Sequence, residues 1–123
     1  IIYLRVYSAG MKGRIEMVFP VSAALLDALV LSIVAKEDTY GYKITQEIRK
    51  AIEMSESTLY PVLRRPLKDE CLESYDMEYM GRNRRYYRVS EKGRIQLKLY
   101  QEEWKLFKVR IDNVIYDGVN DDE

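Results

Sequence analysis

The stretch Gly81-Arg82-Asn83-Arg84-Arg85-Tyr86-Tyr87-Arg88-Val89-Ser90-Glu91-Lys92-Gly93-Arg94 decides how this chain is read. It places six basic side chains and one acidic one in fourteen residues of a protein whose formal net charge is zero. Gly81 and Asn83 tolerate the positive φ of a tight turn, so Met80-Gly81-Arg82-Asn83 predicts a hairpin loop. Leu72–Tyr79 and Arg84–Val89 read as the two short strands it joins, and Ser90 as the N-cap of a helix over 91–116. Within the second strand, alternation sets Tyr87 and Val89 apart from Tyr86 and Arg88, and the first pair is expected in the core. A guanidinium-rich hairpin tip beside a helical region suits contact with a polyanion.

Upstream of the hairpin the pattern is helical. Ser22 caps a first helix over about 23–36, whose run Ala23-Ala24-Leu25-Leu26-Asp27-Ala28-Leu29-Val30-Leu31-Ser32-Ile33-Val34 is apolar almost all round, as a central helix requires. Glu37-Asp38-Thr39 breaks it, with Asp38 or Thr39 as the cap of a second helix over about 41–52. There Ile44, Ile48 and Ile52 share one face. Glu53-Met54-Ser55-Glu56-Ser57 gives a turn and a fresh cap for a third helix, from Glu56 or Ser57 through Arg65, with Leu59 and Leu63 buried and Pro61 in its early turns. Pro66 lacks an N–H and disfavours the α region at Arg65, so the third helix is expected to kink or end there. Glu70 occupies the place where a helix C-terminus favours glycine.

Downstream, Leu97, Tyr100, Trp104, Phe107, Ile111 and Val114 step by 3, 4, 3, 4 and 3. That spacing is a seam of period about 3.5, the mark of one helix lying along another. A three-helix core is too small to cover a rod of about 40 Å, so part of the seam is expected to meet a second subunit.

Composition narrows the function. A chain of 123 residues, 47% hydrophobic and 33% charged, suits one globular domain, and no apolar run is long enough to span a membrane. Residues 1–16 are set aside: the chain opens on Ile1, Met11 is a possible start, and Arg5 within the apolar lead makes a poor signal peptide. Residues 17–90 then form the main domain, 91–116 the final helix, and 117–123 an acidic tail. Cys71 is the only cysteine and histidine is absent, so an internal disulfide, a zinc site and an imidazole-assisted nucleophile are excluded. A lone thiol agrees with a cytoplasmic setting, and no cofactor or metal is expected.

Helix, turn, helix and β-hairpin follow the order of the winged helix-turn-helix, an α+β fold that is mainly helical. The later helix of its pair enters the major groove of DNA and its hairpin reaches the neighbouring backbone or minor groove. In that frame Ser55, Ser57 and Thr58 offer hydroxyls and N–H groups to phosphate. Tyr60, Arg64 and Arg65 follow on the exposed side, and Arg82, Arg84 and Arg85 stand at the hairpin. Tyr40 and Tyr42 either pack the helix junction or touch phosphate.

Three motifs, Tyr40-Gly41-Tyr42, Ser57-Thr58-Leu59-Tyr60-Pro61-Val62-Leu63-Arg64-Arg65 and Arg84-Arg85-Tyr86-Tyr87-Arg88-Val89-Ser90-Glu91-Lys92-Gly93, stand in an order and spacing that resembles the PadR family of bacterial transcriptional regulators. The resemblance runs from about Ala24 to Ile115. It implies a homodimeric repressor on a palindromic operator, joined through the last helix: Leu97, Tyr100, Trp104, Phe107, Ile111 and Val114. The single terminal helix is similar to the short-tailed members of that family, some of which bind flat aromatic drugs between subunits against a tryptophan; Trp104 falls at that place. Pro66-Leu67 and Glu70 depart from the family's usual residues.

Two other readings compete. A winged fold also serves as a protein-interaction adaptor, against which the arginines of the hairpin argue. Glu73, Asp76 and Glu78 are imaginable as metal ligands of a small nuclease, but no helix-borne third carboxylate accompanies them.

Overall fold

A computed structural model describes residues 5–6, 15–16, 19 and 21–117. Most of the segment 1–16 and the acidic tail beyond Asp117 therefore lie outside the described residues. In chain order the elements are β1 (Arg5–Val6), β2 (Ile15–Glu16), α1 (Ala23–Lys36), β3 (Thr39–Tyr40), α2 (Gly41–Ile48), α3 (Glu56–Lys68), β4 (Leu72–Tyr79), β5 (Arg82–Val89) and α4 (Glu91–Ile115). β1 pairs antiparallel with β2, and a separate three-stranded antiparallel sheet has the order β3-β5-β4.

The core is built around α1. Ser22 caps it by accepting from the Leu25 N–H, and α1 packs against α2, α3, β5 and α4. Leu26, Val30, Leu31 and Val34 are buried there with Ile44 and Ile48 of α2, Leu59 and Leu63 of α3, and Leu72, Tyr87 and Val89 of the sheet. Tyr87 and Val89 thus face the core, and Cys71 is a buried free thiol.

Four local readings are corrected. First, neither Asp38 nor Thr39 caps α2: Tyr40 holds the N-cap position with no side-chain hydrogen bond, and Thr39 and Tyr40 form β3, opposite Tyr87 and Tyr86. Asp38 turns instead to the wing, where its Oδ2 accepts from the Tyr75 hydroxyl at 2.7 Å. Second, α2 stops at Ile48 rather than 52. Ile52 is still buried, carried into the core by a turn in which its N–H reaches the Ile48 carbonyl. Third, the hairpin loop is two residues, not four. Tyr79 pairs with Arg82 and Glu78 with Asn83, and the positive φ falls on Met80 (51°) and Gly81 (80°) rather than on Asn83.

Fourth, α3 does not end at Arg65 but runs through a buried Pro66 to Lys68. Its end explains why. The Cys71 N–H reaches back to the Pro66 carbonyl at 2.8 Å and the Glu70 N–H to the Leu67 carbonyl at 3.1 Å. These are the paired bonds of a Schellman cap, with Glu70 in the left-handed position at φ 64°. The cap also carries the start of α4. Ser90 donates its hydroxyl to the Glu70 carbonyl (2.6 Å), its N–H to the Cys71 carbonyl (3.0 Å), and accepts from the Gly93 N–H (3.0 Å). Helix α4 passes so close to this corner that a Cβ on Gly93 would sit 2.1 Å from the Cys71 carbonyl oxygen.

Two stability outcomes follow from that corner. Glu70→Gly relieves a side chain held in the left-handed region and is expected to stabilise the fold by about 1 kcal/mol, read as a higher melting temperature. Gly93→Ala forces a methyl group against the Cys71 backbone carbonyl and is expected to cost about 3 kcal/mol or more; an unchanged denaturation midpoint would contradict the close approach.

Candidate nucleic-acid interface

The hairpin presents two chemically different faces, because successive residues of a strand point to opposite sides. Arg82, Arg84, Tyr86 and Arg88 share the side away from the core; Asn83 and Arg85 share the side of buried Tyr87. The cluster of arginines that looks uniform in sequence is therefore divided.

On the outer side the cations are packed on aromatic rings. The Arg84 guanidinium lies 3.9 Å from the Tyr40 ring centre and 3.8 Å from that of Tyr79, and reaches the Tyr86 hydroxyl at 3.5 Å. Tyr86 stacks on Tyr75 with centroids 5.7 Å apart and meets Tyr40 edge-on at the same distance. Arg88 stands over Tyr75 and pairs with Glu73 at 3.1 Å. Each such cation–ring contact contributes about 0.5–1 kcal/mol at an exposed site, so the group holds β4, β5 and β3 in one arrangement. Arg84 is half-buried in it, less a free cation than a brace between the hairpin and the start of α2.

On the inner side Arg85 pairs across the strands with Asp76 at 3.1 Å, both well exposed. An exposed pair of this kind is worth little and exchanges readily for another anion. The sequence alternative of a metal site loses two of its carboxylates here, since Glu73 and Asp76 each hold an arginine. Among the described residues no group of three or more candidate ligands could hold a metal ion.

Between the hairpin, the N-terminus of α2 and the exposed side of α3 lies a cleft of about 580 Å³. It brings together Tyr40, Tyr42, Tyr60, Arg84 and Arg85, joined by Asn83 and Asp76, which the sequence suggested only as a turn residue and a metal-ligand alternative. Tyr42 and Tyr60 are half-exposed along it, at 52% and 51%. Gly41 makes room for this approach: a Cβ there would lie 3.2 Å from the Tyr60 hydroxyl oxygen. The sequence names Tyr40, Tyr42 and Tyr60 separately; that Gly41 lets the Tyr60 ring approach the start of α2 is visible only in the fold.

The N-terminus of α3 adds a hydroxyl cluster. Ser55 accepts from the Thr58 N–H at 3.3 Å, and its oxygen stands 2.9 Å from that of Ser57 and 3.0 Å from that of Thr58. Arg64 is exposed one turn beyond Tyr60, and Arg82 is exposed beside the hairpin tip. These residues flank the cleft without lining it.

Arg65 is exposed beside Arg64, as expected, but it is already partnered. Its Nε pairs at 3.0 Å with Asp27 of α1, whose side chain is 8% exposed. Burial pushes the Asp27 carboxyl above its ordinary value, outweighing the Arg65 guanidinium and a hydrogen bond with Tyr100 that pull it down. The three residues join α1, α3 and α4 at one polar point. Arg65, half exposed itself, is tied to α1, and a second partner for it in DNA would have to compete with a buried carboxylate.

The seam residues on α4 leave the domain in order. Leu97 is buried and Tyr100 half-buried against the core, whereas Trp104 is 50% exposed and Val114 77%. Phe107 and Ile111 lie between them, also exposed. Trp104 and Phe107 face each other at 6.1 Å and, with Leu25, Ala28 and Tyr100, line an apolar recess of about 380 Å³ between α1 and α4. Among the described residues no helix is long and apolar enough to cross a membrane.

Comparison with known proteins agrees with this architecture. Residues 30–99 match the sequence model of the Transcriptional regulator PadR-like family. The crystal structure of smu.1704 from Streptococcus mutans UA159 is similar with a TM-score of 0.75 at 40% identity, over 82% of this chain and 95% of that one. A PadR family transcription regulator from hypervirulent Clostridium difficile R20291 gives a TM-score of 0.66 at 30% identity, over 73% of this chain and 96% of its own. An uncharacterized protein from Lysinibacillus sphaericus is 36% identical over 92 residues, 71% of this chain and 84% of its own. With its winged helix-turn-helix, its long last helix and more than half its length inside that family's model, the chain belongs to the PadR-like family of transcriptional regulators and is not an enzyme.

Proposed function

We propose that the chain is a cytoplasmic, homodimeric repressor that binds a palindromic DNA operator. In this reading residues 17–90 form the DNA-binding domain and residues 91–116 the dimerisation helix. The observation that carries it is the cleft in which the exposed side of α3 and a cationic hairpin face one target: Tyr42 and Tyr60 on the helices, Arg85 on the wing. Helix α3 enters the major groove with Ser57, Thr58, Tyr60 and Arg64 nearest the base edges. Ser55, Tyr42, Arg82 and Arg85 hold phosphates, which fix register and supply most of the affinity. Tyr40 and Arg84 support the wing, and Arg65 the helix.

The dimer follows from α4. Its exposed seam of Trp104, Phe107, Ile111 and Val114 continues the buried Leu97 and Tyr100, and a second copy of the same seam covers it by two-fold symmetry. Two α3 helices related in this way read a palindrome with half-sites about one helical turn, roughly 34 Å, apart. The recess beside Trp104 lies at the edge of that seam. A flat aromatic inducer lodged there would favour one spacing of the two α3 helices over another and so release the operator.

The test is affinity for the DNA upstream of the protein's own gene across a salt series. Arg82→Ala and Arg85→Ala should each shallow the slope of log K against log salt by about one unit on any sequence. Arg84→Ala should weaken binding with little change of slope, since its guanidinium is held by rings. Changes at Thr58, Tyr60 or Arg64 should alter sequence preference. Affinity that is absent, or indifferent to salt, overturns the reading.

A further inference from the structure

We infer that the wing ends in an apolar wedge, Met80, that enters the minor groove of the bound duplex and parts a base step there. The inference rests on the DNA-binding reading above and adds to it a contact that deforms DNA instead of holding a phosphate.

It starts from a residue that the fold itself does not favour. The two-residue turn between β4 and β5 has φ 51° at Met80 and 80° at Gly81, the signs of a type I′ turn, where Asn, Asp and Gly are the preferred residues. A methionine in the first position holds a branched-free but bulky side chain in the left-handed region, which costs backbone energy. It recovers nothing by packing. Met80 is 85% exposed, the highest value among the described large apolar side chains of this chain. Asn at this position would relieve strain and hydrate better, so folding does not account for the choice.

The surroundings supply what a wedge needs. Tyr79 and Arg82 close the turn as a register pair, so an exposed guanidinium and a half-exposed ring flank Met80. Met77, half-exposed, extends the apolar patch on the Tyr79 side, and Glu78 points to the other face of the sheet. A cation beside an apolar tip matches the narrow minor groove, whose negative potential draws arginine and whose base steps admit Met, Leu or Phe. The tip is also stiff. Eight-residue strands run unbroken to the turn, and Arg84, gripped between Tyr79 and Tyr40, braces it to the start of α2. A stiff hairpin delivers the side chain without first being ordered.

The experiment compares the full chain with Met80→Asn and Met80→Leu on a duplex from upstream of its own gene, labelled with a fluorescence donor and acceptor at its ends. For Met80→Asn the melting temperature of the free protein should rise by a few degrees, while Kd increases about tenfold, the end-to-end distance returns to that of free DNA, and the salt slope is unchanged. Met80→Leu should keep both the affinity and the bend. Asparagine binding and bending as the parent does overturns the wedge, as does a loss shared equally by leucine and asparagine. A shift in subunit association instead of DNA shape would assign the tip to a protein contact and also overturn it. If the unaltered chain does not bind the duplex, the DNA reading itself fails and takes the wedge with it.

Discussion

The constraint on which the structure depends is that α4 is longer than the domain that carries it. A helix of 25 residues extends about 37 Å, and the core of α1 to α3 reaches only its first half. Leu97 is sealed and Tyr100 half-sealed, and from Trp104 onward the same apolar row stands open. The row keeps its spacing after the domain has ended, so the sequence is patterned for a surface that one copy does not provide. This is a different matter from scattered exposed apolar residues, which any protein surface has.

The remainder of the fold holds the DNA-facing elements in a fixed relation to that helix. At one end the cap of α3, the N-cap of α4 and the residue before β4 share a set of hydrogen bonds around Glu70, Cys71 and Ser90. Further along, Asp27 receives Arg65 and Tyr100, so α1, α3 and α4 meet at a buried carboxylate. On the far side the tyrosine and arginine layer fixes the wing to β3 and thereby to α2. The exposed side of α3 and the wing are consequently tied to the same core as α4, whose outer half carries a row of uncovered apolar side chains.

Much of this was legible in the sequence, and the parts that were not have physical reasons. The limits of α1 and β4 and the burial of Tyr87 and Val89 follow from capping and alternation, which are local. β3 escaped because two residues carry no period, and its pairing with β5 is decided by the sheet. The turn was read too long because Asn83 looks like a turn residue; the register of eight residue pairs places Arg82 and Asn83 in β5 instead. Pro66 was expected to kink or end α3; the helix does not end there, because burial of the residue and the cap beyond it offset the missing N–H and the crowding of the preceding turn. Charge alone could not say that Arg65 has a partner on α1, nor that Arg84 is enclosed by rings, since both depend on residues distant in the chain.

The most direct measurement is the mass of the intact chain by sedimentation equilibrium at micromolar concentration without DNA. The account predicts the mass of two copies, held together by the outer half of α4. A single copy under those conditions would leave the seam uncovered in solution and would contradict it.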